Sequence, residues 1–200
     1  MKLRGLYAIA PAAADAESLL RVVAAALAGG IALLQYRRKQ LASLEEAEAL
    51  AALCKRSGVR FIVNDDLELA LACGADGLHL GRDDGELAAA RVKLRGKILG
   101  VSCYDSLAAA HSAVAAGADY VAFGSVYPSS TKPSAVHAPH SLFGEARPLG
   151  VPLVAIGGIN LENAPQLLLA GADALAVISD LFDAPDVAAR ARAYGKLFQP

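Results

Sequence analysis

Short apolar runs alternate with longer helix-patterned stretches eight times along the chain, and this alternation constrains the fold more than any other feature. The runs are Leu6–Ala10, Ile31–Tyr36, Val59–Val63, Gly77–Leu80, Ile98–Val101, Tyr120–Phe123, Leu153–Ile156 and Ala174–Ile178. Helices are predicted over Asp15–Ala28, Ser43–Ser57, Leu67–Cys73, Asp84–Leu94, Ser106–Ala116, Ser141–Arg147, Leu161–Ala170 and Pro185–Phe198. The runs are continuous rather than alternating, as in parallel strands covered by helices. Glycines stand where each left-handed helix end is needed, three times as Gly-Ala-Asp before a strand. Asp76, Asp119 and Asp173 therefore read as structural punctuation, not catalysis. Eight such units favour closure into one (β/α)8 TIM barrel spanning residues 1–200. An open doubly wound sheet is the weaker alternative, because no GxGxxG follows the first run.

Composition narrows the function classes. The chain is 55% hydrophobic and 20% charged, a globular balance. Its net charge of −1 offers no basic excess for a nucleic-acid backbone. The Ala-rich stretch Leu19–Ile31 is interrupted by Arg21, Gly29 and Gly30, so no membrane span is expected. The first residues lack the long apolar core of a signal peptide. Cys54, Cys73 and Cys103 show no CxxC or Cys/His metal spacing and read as reduced core thiols in a cytoplasmic protein.

A parallel barrel gathers its chemistry at the C-terminal strand ends. Those ends here carry Gln35-Tyr36-Arg37-Arg38-Lys39, Asn64-Asp65-Asp66, Gly81-Arg82-Asp83-Asp84, Ser102, Pro128-Ser129-Ser130-Thr131-Lys132, Gly157-Gly158 and Ile178-Ser179. Each group alone fits a plainer reading: a solvated basic triplet, helix caps from Asp65 or Asp66 and from Asp83 or Asp84, a polar loop, a tight turn. Their conjunction around one rim is what points to a site. Two carboxylates from neighbouring strands suit a hard cation such as Mg2+. Arg37, Lys39 and Lys132 suit a diphosphate, and Gly158 with the helix start at Ser179 suits a second anion. His79 reads as packed and hydrogen-bonded within a strand, and His137 and His140 as surface residues.

These motifs resemble the thiamine phosphate synthase family over nearly the whole chain. The family's Q-x-R-x-K element matches Gln35, Arg37 and Lys39; N-D matches Asn64-Asp65; H-x-G-x-x-D matches His79 to Asp84. G-V-S matches Gly100 to Ser102, A-I-G-G-I matches Ala155 to Ile159, and V-I-S matches Val177 to Ser179. The loop P-T-x-T-K appears as Pro128 to Lys132, with Ser129 in place of threonine, and Arg82 stands where glutamine is frequent. The resemblance implies a transferase that joins a hydroxymethylpyrimidine diphosphate to a hydroxyethylthiazole phosphate, releasing diphosphate. It implies that Gln35, Tyr36, Arg37, Arg38, Lys39, Asn64, Ser102 and Lys132 hold the pyrimidine diphosphate. Asp65 and Asp84 would hold Mg2+. Ser129, Ser130, Thr131, Gly158, Ile178 and Ser179 would hold the thiazole phosphate. Arg37, Lys39, Ser102 and Lys132 would carry the catalysis, and a homo-oligomer is compatible with the family.

Three rivals share the barrel. A thiazole tautomerase generally lacks the metal carboxylates and the Thr-Lys loop. A non-catalytic regulator that binds thiazole phosphate would not need Asp65, Asp84 and Lys132 together. A Schiff-base aldolase needs its lysine desolvated within a strand, whereas Lys132 follows the sixth strand in a polar loop.

Overall fold

The structure is a computed structural model describing residues 2–38, 43–81, 87–128 and 137–199. Eight parallel strands close in sequence order into a barrel, with the first hydrogen-bonded to the last. They are β1 (Gly5–Ile9), β2 (Leu33–Tyr36), β3 (Arg60–Asn64), β4 (Gly77–Leu80), β5 (Ile98–Tyr104), β6 (Tyr120–Phe123), β7 (Leu153–Ile156) and β8 (Ala174–Val177). The helices are α1 (Ala16–Ala28), α2 (Leu44–Arg56), α3 (Leu67–Ala72), α4 (Leu87–Leu94), α5 (Leu107–Ala115), α6 (Ser141–Ala146), α7 (Ala164–Ala170), α8 (Ser179–Phe182) and α9 (Val187–Lys196). The expected (β/α)8 barrel is thus the observed one, and the predicted helices differ mainly at their ends. Asp15, Ser43 and Ser106, expected as first helical residues, are N-caps that accept the backbone N–H three residues on. The expected terminal helix Pro185–Phe198 is α9, capped by Asp186, and the helix start expected at Ser179 is a separate single turn, α8.

Strand alternation sorts the apolar residues into two cores. One faces outward and packs under the helices, as with Leu34, Phe61, Leu78, Val121 and Leu175. The other fills the barrel, with Tyr7, Leu33, Ile62, Tyr120, Val154 and Ala174. Small residues make room for large ones inside it. A Cβ on Gly100 would overlap the Tyr120 ring, which explains why glycine opens the Gly-Val-Ser element.

The Gly-Ala-Asp repeats latch the N-terminal end. Asp76, Asp119 and Asp173 each accept a backbone N–H of the preceding strand, from Phe61, Leu99 and Leu153, at 2.8, 2.8 and 2.9 Å. Each aspartate's own N–H returns to the same residue's carbonyl. Arg91 pairs with Asp119 at 2.9 Å and Arg147 with Asp173 at 3.1 Å. Among the described residues, no helix is long and apolar enough to cross a membrane.

Candidate active site

The C-terminal strand ends enclose a cavity of about 780 Å3. Its lining includes Gln35, Arg37, Asn64, Asp65, Ser102, Gly158, Ile178 and Ser179, all singled out from sequence. The structure therefore brings strand ends two, three, five, seven and eight into one mouth.

The period of two explains which residues reach it. Gln35 and Arg37 line the cavity, whereas Tyr36 and Arg38 lie on the other face of β2 and its extension. Tyr36 and Arg38, expected at the diphosphate, do not line this cavity. Tyr36 is buried among the outer core residues and donates its hydroxyl to Glu46 Oε1 at 2.7 Å. Arg38 grips the same carboxylate through two nitrogens, at 2.9 and 2.7 Å. Burial alone would raise the Glu46 carboxyl, but the bonds from Arg38 and Tyr36 outweigh it and hold it below its ordinary range. Burial, reinforced by Glu46, pushes the Tyr36 phenol up to about 12. This cluster ties the exit of β2 to α2 and so fixes the backbone from which Arg37 projects.

The two adjacent aspartates after β3 divide their work. Asp66 caps α3, accepting from Leu69 N at 2.9 Å. Asp65 has φ 64°, a conformation that aspartate tolerates better than most residues, and lines the cavity. Its N–H donates to the His79 carbonyl at 2.9 Å, docking the turn onto β4.

The floor of the mouth is polar and connected. Gln35 Nε2 donates to the Tyr7 hydroxyl at 2.6 Å, and Tyr7 meets the Tyr120 hydroxyl at 2.8 Å. His79 bonds the Tyr120 hydroxyl through Nδ1 at 2.9 Å and Ser102 Oγ through Nε2 at 2.8 Å. Burial pushes both phenols well above their ordinary range, so they keep their protons. The sequence reading passed over Tyr7 and Tyr120. Each is an isolated polar tip in an apolar run, and the two are 113 positions apart.

The opposite side is built from backbone. Gly157 and Gly158 have φ 105° and 63°. A Cβ on Gly157 would strike Ser125, and one on Gly158 would strike Tyr127 and Pro128. The pair therefore lets the strand-six exit lie directly on the strand-seven turn, a reason beyond ordinary turn geometry. Asn163 Nδ2 holds the Gly158 carbonyl at 2.9 Å. Beyond Ser179, Asp180 pairs with Arg190 at 2.6 Å and accepts from Tyr194 at 2.7 Å, tying α8 to α9.

Lys39, Asp84, Ser129, Ser130, Thr131 and Lys132 lie outside the described residues, as do Arg82 and Asp83. Among the described residues, no group of three or more His, Cys, Asp and Glu gathers as a metal cluster. His137 is exposed, and the His140 ring packs edge-on against Tyr127, 5.2 Å between centroids.

Residues 6–181 match the family model described as thiamine monophosphate synthase. The chain belongs to that family. It is 58% identical to the thiamine-phosphate synthase of Aromatoleum aromaticum, covering 98% of this chain and 97% of that one. It is 55% identical to the thiamine-phosphate synthase of Azoarcus sp., covering 98% of each. The thiamine phosphate pyrophosphorylase structure from Pyrococcus furiosus superposes with a TM-score of 0.86 at 33% identity, covering 98% of this chain and 95% of that one. In this member of the family, the matched region runs from β1 into α8 and takes in both sides of the mouth.

Proposed function

We propose that this mouth joins 4-amino-2-methyl-5-hydroxymethylpyrimidine diphosphate to hydroxyethylthiazole phosphate, or its carboxylated form, yielding thiamine phosphate and diphosphate. The activity itself, thiamine-phosphate synthase, a transferase, is that of relatives 52–58% identical over nearly the whole chain. The observation that supports the site reading is the single cavity shared by Gln35, Arg37, Asn64, Asp65, Ser102, Gly158 and Ser179.

In this reading Gln35, Arg37, Lys39, Asn64, Ser102 and Lys132 hold the pyrimidine diphosphate. Gly158, Ile178 and Ser179, with Ser129, Ser130 and Thr131, hold the thiazole phosphate. The bond between the pyrimidine methylene and the diphosphate oxygen breaks, and its electron pair leaves with diphosphate. Arg37, Lys39 and Lys132 neutralise that growing charge, and Ser102 donates a hydrogen bond to it. The ring amine stabilises the methylene cation until the thiazole nitrogen attacks. No protein nucleophile is needed; the chain orients both substrates and excludes water.

The residues fit Mg2+. That ion takes one or two protein carboxylates and fills its shell with water and phosphate oxygens, so a sparse acidic set is appropriate. Asp65, on the cavity wall, would hold it together with Asp84. When bound, it supplies further charge neutralisation of the diphosphate. The three cysteines are free and buried, in keeping with a cytoplasmic enzyme.

Purified protein, both phosphorylated precursors, and Mg2+ added or withheld form the test. Thiamine phosphate should accumulate with Mg2+ present. Absence of product under every condition would overturn the reading, and tautomerised thiazole alone would assign the chain to the tautomerases instead.

A further inference from the structure

Five side chains from five strands form one hydrogen-bonded line across the barrel floor: Gln35, Tyr7, Tyr120, His79 and Ser102. All but Tyr120 also line the cavity, and Tyr120 lies fully buried beneath it. Each phenol has one proton to give, and a neutral imidazole has one donor and one acceptor nitrogen. Once the first bond has a direction, every later bond has the same one, unless two buried donors or two buried acceptors face each other. With His79 neutral, two orders keep every link. In the first, Gln35 Nε2 donates to Tyr7, Tyr7 to Tyr120, Tyr120 to His79 Nδ1, and His79 Nε2 to Ser102. Gln35 then turns its carbonyl away from Tyr7, and Ser102 has its own proton to give to the cavity. In the second, the Gln35 amide is turned over and every bond reverses. Ser102 then spends its proton on His79.

We propose that Tyr7, Tyr120 and His79 are positioning residues that couple Gln35 to Ser102, so that an amine on the ligand at Gln35 makes Ser102 a donor toward the diphosphate. The inference rests on the reading above, in which Gln35 and Ser102 contact the pyrimidine diphosphate. The amine needs the Gln35 carbonyl, which leaves Nε2 for Tyr7 and selects the first order. A ring with a carbonyl in place of the amine needs Nε2 and selects the second, withdrawing the Ser102 proton from the leaving group. The burial that keeps both phenols protonated means that the line passes on orientation, not charge. Amine recognition and leaving-group assistance are thereby joined through the protein interior.

Nitrogen-15 NMR of the full-length, histidine-labelled protein tests this, with the His79 signal assigned by its loss in His79→Gln. In wild type with the amino-pyrimidine diphosphate, His79 should carry its proton on Nε2. Gln35→Glu, followed up the pH range until its carboxyl is ionised, presents only acceptors to Tyr7 and should then move that proton to Nδ1 without any ligand. Tyr120→Phe, and separately Tyr7→Phe, should abolish the response to Gln35→Glu while melting as folded proteins. Turnover in Tyr120→Phe should fall about tenfold, with a smaller change in KM for the pyrimidine diphosphate. The same His79 tautomer in liganded wild type and in Gln35→Glu, or a switch that survives both phenylalanine variants, would overturn the coupling. Unchanged pyrimidine diphosphate binding in Gln35→Ala would overturn the ligand assignment instead, since the Gln35→Glu tautomer and its loss in the phenylalanine variants are read on unliganded protein.

Discussion

The two ends of the barrel use the same residue types for opposite purposes. At the N-terminal end, Asp76, Asp119 and Asp173 accept backbone N–H groups of neighbouring strands, and Arg91 and Arg147 pair with the latter two. At the C-terminal end, Asp65 and Arg37 line a cavity of about 780 Å3. A side chain at the first end is matched to groups that the fold always supplies. At the second, the surroundings have the shape and charge of a site for an arriving molecule. Chemistry at one end and closure at the other is the division expected of such barrels. Here it is visible in which end latches backbone and which end lines the cavity.

The sharpest way to break this contrast is at the mouth. Arg37→Ala should lower kcat/KM about a hundredfold or more while leaving the melting temperature nearly unchanged. Steady-state kinetics and thermal unfolding on the same preparation decide it, and retained activity would remove Arg37 from the diphosphate site. The converse substitution is Asp173→Ala. It leaves Leu153 N without its side-chain acceptor and Arg147 without its ion pair. Because Arg147 is about half exposed, most of the cost lies in the backbone bond, about 2 kcal/mol. The melting temperature should drop by about 4–8 °C while kcat and KM at low temperature hold. A large loss of kcat in the folded variant would contradict the division.

Glu46 stands between these extremes, since it supports the exit of β2 without lining the cavity. Its carboxyl is held below the ordinary value of 4.5 in the folded state. It therefore contributes stability above that value, and the contribution is lost as pH falls through the folded value. Glu46→Gln should cost about 1–2 kcal/mol at pH 7, and the gap from wild type should narrow on acidification below about pH 4.5. Chemical denaturation at a series of pH values reads this directly. A gap that widens toward acid would reverse the assignment.

Much of the architecture was legible because it rests on local signals. Gly-Ala-Asp marks the start of three strands, and Asp15, Ser43 and Ser106 mark helix starts within one residue. The mouth was legible where one residue per strand end suffices, as at Asn64, Ser102 and Gly158. It was less legible where contiguous residues were taken together. Gln35 to Lys39 was read as one basic element, but among its described residues alternation sends Tyr36 and Arg38 to Glu46 and Gln35 and Arg37 into the cavity. The polar floor was hidden for a different reason. Tyr7 and Tyr120 acquire their meaning from each other, and only barrel closure brings their hydroxyls, carried on β1 and β6, within 2.8 Å across the interior.

The smallest test applies the same contrast to two neighbours. Asp65 and Asp66 share chemistry and differ by one position, yet the left-handed turn at Asp65 separates them. Asp66 is an exposed cap on the short helix α3, and its replacement by alanine should cost about 1 kcal/mol, or about 2–4 °C in melting temperature. Because that carboxylate is spent on Leu69 N, the Mg2+ dependence of turnover in Asp66→Ala should follow wild type. Asp65→Asn keeps a residue that tolerates the left-handed conformation while removing the charge. It should require more Mg2+ for the same rate at little cost in stability. A Mg2+ titration of both variants separates cap from ligand. If Asp66→Ala shifts the titration and Asp65→Asn does not, the two aspartates have been assigned the wrong way round.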